Sequence, residues 1–200
     1  NLRYGENPHQ KSYFYKENNK NNFFDNVISG KKISYNNLLD IDVAFSCVSE
    51  FIMPTCVIIK HNSPCGIASN KNISYAFANA KNTDPISAFG GIIAFNKKVD
   101  EKTAKLISKD FYEIILAPSF SYKAKLTLEK NQNLRLINTK GLKKNLKNEI
   151  KSINKGFLVQ EINKVIFKKN LLQLVSKYKG PTKILDDLVF AFKVSKYVKS

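Results

Sequence analysis

Lys60 and His61 stand side by side directly after the apolar run at residues 56–59, Cys-Val-Ile-Ile. An imidazole that titrates near neutrality can take or give a proton. An ammonium beside it can neutralise an oxyanion as it develops. Three further clusters could do chemistry. Residues 2–10, LRYGENPHQ, place Arg3, Tyr4 and His9 in a segment containing Gly and Pro; the planar fork of an Arg suits a phosphate or carboxylate. Residues 84–91, DPISAFGG, run into an apolar stretch, and Gly90 and Gly91 permit close backbone approach of a ligand. Glu113 opens another apolar run, EIILA, where a carboxylate needs a partner. Each cluster also has a plainer reading: a structural histidine, a polar terminus, a tight turn, a surface acid.

Several chemistries are excluded by what is missing. His61 and Cys65 are four apart, but no H-x-E and no P-C-x-x-C accompany them, so a zinc deaminase site is not expected. His9, His61 and three scattered cysteines form no metal cage. The sequence contains no G-x-S-x-G nucleophile elbow, P-loop or G-x-G-x-x-G. The aromatic signature of an RNA-recognition domain is also missing.

These clusters must be carried by regular elements. Strand-like runs are expected at 56–59, 91–95, 113–117 and 134–137. Helices are expected at 42–51, at 73–82 with Ala76, Phe77 and Ala80 on one face, at 101–108 capped by Asp100, and at 182–198. This alternation predicts an α/β layered fold with a mixed or largely parallel sheet. Residues 16–26 read as a polar surface loop. Residues 141–156 are Lys-rich, and Leu142, Leu146, Ile150 and Ile153 are spaced like a helix face, which reads as a solvated helix or loop with a small buried stripe, a membrane-surface helix being the alternative. The segment 62–66, Asn-Ser-Pro-Cys-Gly, reads as a turn that presents Lys60 and His61, with Cys65 there for packing.

Charge is the loudest feature and the least specific. Lys and Arg total 33 against 16 acidic residues, a net charge of +17, which raises a nucleic-acid-binding or membrane-binding basic module as an alternative. Only Arg3 and Arg135 are arginines, however, whereas nucleic-acid readers lean on Arg. With 23 Asn beside the lysines, the plainer reading is compositional bias spread over solvated faces. No apolar run reaches the roughly 18–20 residues of a membrane span. Three cysteines without a C-x-x-C pair suit a reducing, cytoplasmic setting.

Taken in order, LRYGENPHQ, GKKISYNNLLDID (30–42), VIIKHNSPCGIA, TDPISAFGGIIAFN and FYEIILAP closely resemble the formyltransferase region of one family. It is the bifunctional purine biosynthesis family that joins AICAR (aminoimidazole carboxamide ribonucleotide) formyltransferase to IMP cyclohydrolase. The resemblance covers residues 1–124 and 156–200, with a variable Lys-rich stretch at about 125–155.

The resemblance implies a cytidine-deaminase-like α/β fold without that fold's zinc. It implies transfer of a formyl group from the co-substrate 10-formyltetrahydrofolate to the 5-amino group of AICAR, with no metal. Lys60 and His61 become the catalytic pair. Arg3, Tyr4, Gly90 and Glu113 become AICAR-binding, and Phe89 becomes the folate-side contact. A homodimer with shared active sites is implied, with no nucleic-acid or membrane partner. The cyclohydrolase domain is expected to lie outside residues 1–200. These residues are then the first part of the formyltransferase domain, holding the Lys–His pair without a complete site. An inactive remnant with an assembly role is the further alternative.

Overall fold

Four consecutive buried residues, Cys56 to Ile59, have no solvent exposure, and their side chains alternate between two cores on opposite sides of one sheet. The computed structural model describes residues 1–16, 21–143, 148–164, 172–178 and 180–198. Among these, contacts divide the chain into two compact units, 1–142 together with the segment from 197, and 143–196.

The first unit is a six-stranded sheet. Its strands are β1 (Val27–Ser29), β2 (Thr55–Lys60), β3 (Ser63–Ser69), β4 (Ile92–Phe95), β5 (Ile114–Ala117) and β6 (Arg135–Asn138), in the order β1-β6-β5-β4-β2-β3. β4, β5 and β6 run parallel, whereas β2 is antiparallel to β3 and β4, and β1 to β6. The sheet is therefore mixed. Cys56, Ile58, Ile93, Phe95, Ile115 and Leu136 face one core, under helices α2 (Ile73–Thr83), α4 (Glu101–Ile107) and α5 (Tyr122–Leu128). Val57, Ile59, Ile92, Ala94, Ile114, Leu116 and Ile137 face the other, under α1 (Tyr35–Val48). Burial on both faces is why these strands read as unbroken apolar runs. Each fully buried Ile contributes about 1.5–3 kcal/mol relative to exposure.

Helix α1 begins seven residues earlier than residue 42, the expected start. Ser34 and Asn37 form a capping box: the Ser34 hydroxyl accepts from the Asn37 amide and the Asn37 side chain accepts from the Ser34 amide. Asp100 caps α4 through the Thr103 amide, as expected. The short helix α3 (Pro85–Ala88) starts at Asp84, whose side chain accepts from the Ser87 amide.

Of the segment 62–66 only Asn62 lies in a turn. The hairpin reverses at His61-Asn62, and residues 63–69 form edge strand β3, with Lys60 opposite Ser63. Pro64 is tolerated because an edge strand has one side without ladder partners. Cys65 is a bulge residue between the pairs Ile58–Gly66 and Ile59–Pro64. Gly66 is needed where α2 crosses, since a Cβ there would meet the Ala80 carbonyl oxygen at 1.9 Å.

The second unit holds hairpin β7 (Asn148–Ile153) and β8 (Gly156–Glu161), and helix α6 (Thr182–Ser195). The helix face expected across 141–156 is thus corrected to a strand, with Ile150 paired to Val159 and Ile153 to Gly156. A three-residue spacing of two β-branched residues fits either state, and cross-strand pairing decides it here. The expectations for residues 17–20 and 144–147 lie outside the described residues. No helix among the described residues is long and apolar enough to cross a membrane.

Candidate active site

Register brings the polar clusters to one edge of the sheet. Ile59 pairs with Ile92, Ile92 with Ile114, and Ile114 with Arg135. Lys60, Gly91 and Glu113 therefore sit one step beyond a common row. The edge is the carboxyl end of β2 but the amino end of the parallel strands β4–β6, the reverse of the usual placement in parallel α/β sheets.

His61 and Asn62 both adopt left-handed backbone, with φ of 53° and 60°. A two-residue hairpin asks for this conformation, and glycine supplies it at least cost. Most non-glycine residues there cost about 1–2 kcal/mol each, His and Asn being among those that enter it most readily. Asp40, on α1, meets this turn: its Oδ1 accepts from the Asn62 amide at 2.6 Å. Burial pushes the Asp40 carboxyl above the usual aspartate range, against the pull of the Asn62 and His61 backbone and the His61 charge; the Glu113 charge pushes it further up.

The Lys60 ammonium donates to the Phe89 carbonyl at 2.9 Å. Phe89 ends α3, and Gly90 follows with φ 75°, its amide bonded to the Phe111 carbonyl at 2.8 Å. The rings of Phe89 and Phe111 lie 5.5 Å apart and are exposed. Beside Lys60 is an open cleft of about 370 Å³ lined by Lys60, His61, Ser63, Pro64, Cys65, Asp84 and Ser87. The Ser87 hydroxyl and amide, with a smaller contribution from the Lys60 charge, hold the Asp84 carboxyl below its ordinary value. Burial pushes the Cys65 thiol up, and its Sγ lies 3.5 Å from the Ser87 carbonyl oxygen. A thiol held protonated is a poor nucleophile, which fits the packing role expected of it.

Glu113 precedes β5 rather than opening it, and its side chain is 40% exposed. Its Oε2 accepts from Asn37 Nδ2 at 2.8 Å and lies 3.5 Å from Arg135 Nη1. Arg135 is buried, with Nε and Nη2 each 3.0 Å from the carbonyls of Lys31 and Lys32. Burial lowers its pKa, the Glu113 charge opposes this, and Arg3 adds to it. Arg3 and Tyr4 reach this neighbourhood by backbone pairing: the Arg3 amide donates to the Ile33 carbonyl and the Tyr35 amide to that of Tyr4. The Arg3 guanidinium lies 5.3 Å from the Tyr4 ring centroid.

Of the expected site residues, Lys60, His61, Phe89 and Gly90 are gathered around the β2–β3 turn and the end of α3. Glu113, Arg3 and Tyr4 do not line the cleft; they stand beside it, linked through Asn37, Asp40 and Arg135. Those three were not singled out by sequence. Two signals pointed to them: the i, i+3 spacing of Asn37 and Asp40 on a helix, and the rarity of Arg in a Lys-rich chain. Among the described residues no group of three or more His, Cys, Asp or Glu could hold a metal ion. The arrangement offers an imidazole, an ammonium and a tethered carboxylate, a set suited to proton transfer at an amine and stabilisation of an oxyanion.

Fold and site together define an α/β protein whose polar groups converge on one edge of a mixed sheet. Within that class the chain belongs to the AICARFT/IMPCHase bienzyme family, whose model matches residues 1–200. It is 46% identical, over its whole length, to the bifunctional purine biosynthesis protein PurH of Caldicellulosiruptor bescii, covering 40% of that protein. The identity is 45% to the PurH protein of Caldicellulosiruptor saccharolyticus and 44% to that of Fusobacterium nucleatum, with 40% and 39% of those proteins covered. The chain thus spans about two fifths of the length of these relatives.

Proposed function

We propose that these residues carry the Lys–His part of the site that transfers a formyl group from 10-formyltetrahydrofolate to the 5-amino group of AICAR in purine biosynthesis. The observation that supports this most directly is the presentation of Lys60 and His61 at one hairpin tip, beside Gly90 and the Phe89–Phe111 ring pair.

The AICAR amine is a weak nucleophile because its lone pair delocalises into the imidazole ring. Its attack on the formyl carbon forms a C–N bond and a tetrahedral oxyanion. Breaking the bond to folate N10 then completes the transfer, one proton leaving the amine and one reaching N10. His61 takes the amine proton. Lys60 exchanges its bond to the Phe89 carbonyl for the oxyanion or the leaving nitrogen. Glu113 accepts hydrogen bonds from the base or its amide. Arg3, with Tyr4, contacts the phosphate or carboxamide end. Phe89 and Phe111 offer an apolar face for the planar folate ring.

In this reading residues 1–200 are the first part of the formyltransferase domain, with 125–155 its variable stretch. The sites are completed across a cytoplasmic homodimer that also carries the cyclohydrolase. The test is steady-state formyl transfer by the full-length protein with folate saturating. Lys60→Ala and His61→Ala are expected to lower kcat by about 100-fold or more. Near-normal turnover in His61→Ala would remove the assignment.

A further inference from the structure

We propose that Asp40 is a positioning residue for formyl transfer: its carboxylate accepts the Asn62 amide, holds the left-handed His61–Asn62 turn, and so fixes where the His61 ring meets substrate. This rests on the function proposed above. Three observations carry it. The two turn residues are consecutive, non-glycine and left-handed, a conformation uncommon outside glycine, although His and Asn enter it more readily than most residues. The hairpin ladder fixes only the turn's ends, Lys60 and Ser63. The Asn62 amide is held by Asp40, 22 residues away on a different element, at 2.6 Å, and the His61 backbone bonds the same carboxyl. Asp40 is anchored in turn by its helix, since Ile41, the next residue, is fully buried in the core under α1. The catalytic turn is thus braced from the helix layer as well as by its own sequence.

Formyl transfer by the full-length protein would be measured for Asp40→Ala, Asp40→Asn, His61→Ala and the Asp40→Ala/His61→Ala double variant. Asp40→Ala is expected to lower kcat about 10- to 100-fold, with KM for AICAR changed little, because misplacing a proton-transfer group by about 1 Å has effects of that size. Asp40→Asn keeps an oxygen acceptor and is expected to recover most of the rate. In the His61→Ala background the Asp40→Ala substitution should add nothing, since Asp40 acts through His61. A full additional loss in the double variant, or an Asp40→Ala enzyme within about twofold of wild type, would overturn the proposal. Should Asp40→Ala fail to fold, Asp40→Glu carries the same test, because one added methylene displaces the acceptor.

A second readout separates this proposal from the function on which it rests. In a proton–carbon correlation spectrum of the full-length protein, the His61 ring signals are assigned by their loss in His61→Ala. They are expected to move in Asp40→Ala and stay near their wild-type positions in Asp40→Asn, with His9 unchanged in both. Unmoved His61 signals in a folded Asp40→Ala protein overturn the positioning role, whatever the activity. Moved signals in a protein without formyl transfer uphold it and overturn the function instead.

Discussion

The Lys60 ammonium donates to the Phe89 carbonyl at 2.9 Å, tying the end of β2 to the residue that closes α3. The same carbonyl precedes Gly90, so one hydrogen bond ties the cation to the backbone that leads into β4. Lys60→Met keeps the side chain's apolar stem and removes its charge. Losing one hydrogen bond at the rim of the fold is expected to change stability by about 0.5–1.5 kcal/mol. In the role proposed for Lys60 at the oxyanion, losing its charge is expected to lower turnover about 10²- to 10³-fold. Comparing urea midpoints with kcat checks both. A parallel loss of stability and rate would place Lys60 in the scaffold rather than the chemistry.

Arg135 makes a different kind of tie. It is 3% exposed, and its fork reaches the carbonyls of Lys31 and Lys32 and, at 3.5 Å, the Glu113 carboxylate. A lysine cannot direct donors along the same three lines. Arg135→Lys is therefore expected to lose part of this bonding from a buried cation and to lower stability by about 1–3 kcal/mol. Because Glu113 loses part of its anchor, KM for AICAR should rise as well. Urea unfolding and initial-rate kinetics test the two halves, and a variant within about 0.5 kcal/mol of wild type would show that the fork is dispensable.

Two glycines near the site should respond differently to alanine. At Gly66 a Cβ would sit 1.9 Å from the Ala80 carbonyl oxygen, a backbone atom of α2 that can yield only if the helix moves. Gly66→Ala is expected to lose about 3 kcal/mol or more. At Gly90 the nearest atom to a new Cβ is a Phe111 ring carbon at 3.7 Å, so the penalty is conformational, from φ 75°. Gly90→Ala is expected to lose about 1–2 kcal/mol. Thermal unfolding of both variants would contradict this account if Gly90→Ala proved the less stable.

Sequence made the buried strands legible because β2, β4, β5 and β6 are covered on both faces, which leaves apolar runs bounded by polar residues. It did not reveal β3. Ser63–Ser69 holds a Pro and a Gly that read as a turn, and the actual turn, His61-Asn62, lacks the glycine that usually marks a two-residue hairpin. The start of α1 was hidden for a similar reason. Tyr35, Asn36 and Asn37 have weak helix propensity, and the first turn is fixed by the reciprocal Ser34–Asn37 bonds together with tertiary bonds to Tyr4, Glu6 and Glu113. Lys60 and His61 were legible as a pair. Their supports were not, because Asn37, Asp40 and Arg135 reach the site only once α1 and β6 are packed.

Asp40 also makes a prediction about stability and pH. Burial raises its carboxyl pKa above the ordinary aspartate value of 3.8, so the folded protein holds that proton more tightly than the unfolded chain. Its contribution to stability is then fully present below 3.8 and is lost as pH rises through the higher folded value. At neutral pH the ionised carboxylate is a net cost, partly offset by the Asn62 and His61 amides it serves. Asp40→Asn keeps an acceptor for Asn62 and removes the buried charge, so it is expected to raise Tm at pH 7. The gap between variant and wild type should narrow as pH is lowered through the raised folded value, where Asp40 takes up its proton. Melting curves for the two proteins across that range are the measurement. A variant that melts below wild type at pH 7 would mean that the charge itself, and not only the acceptor, holds the His61–Asn62 turn.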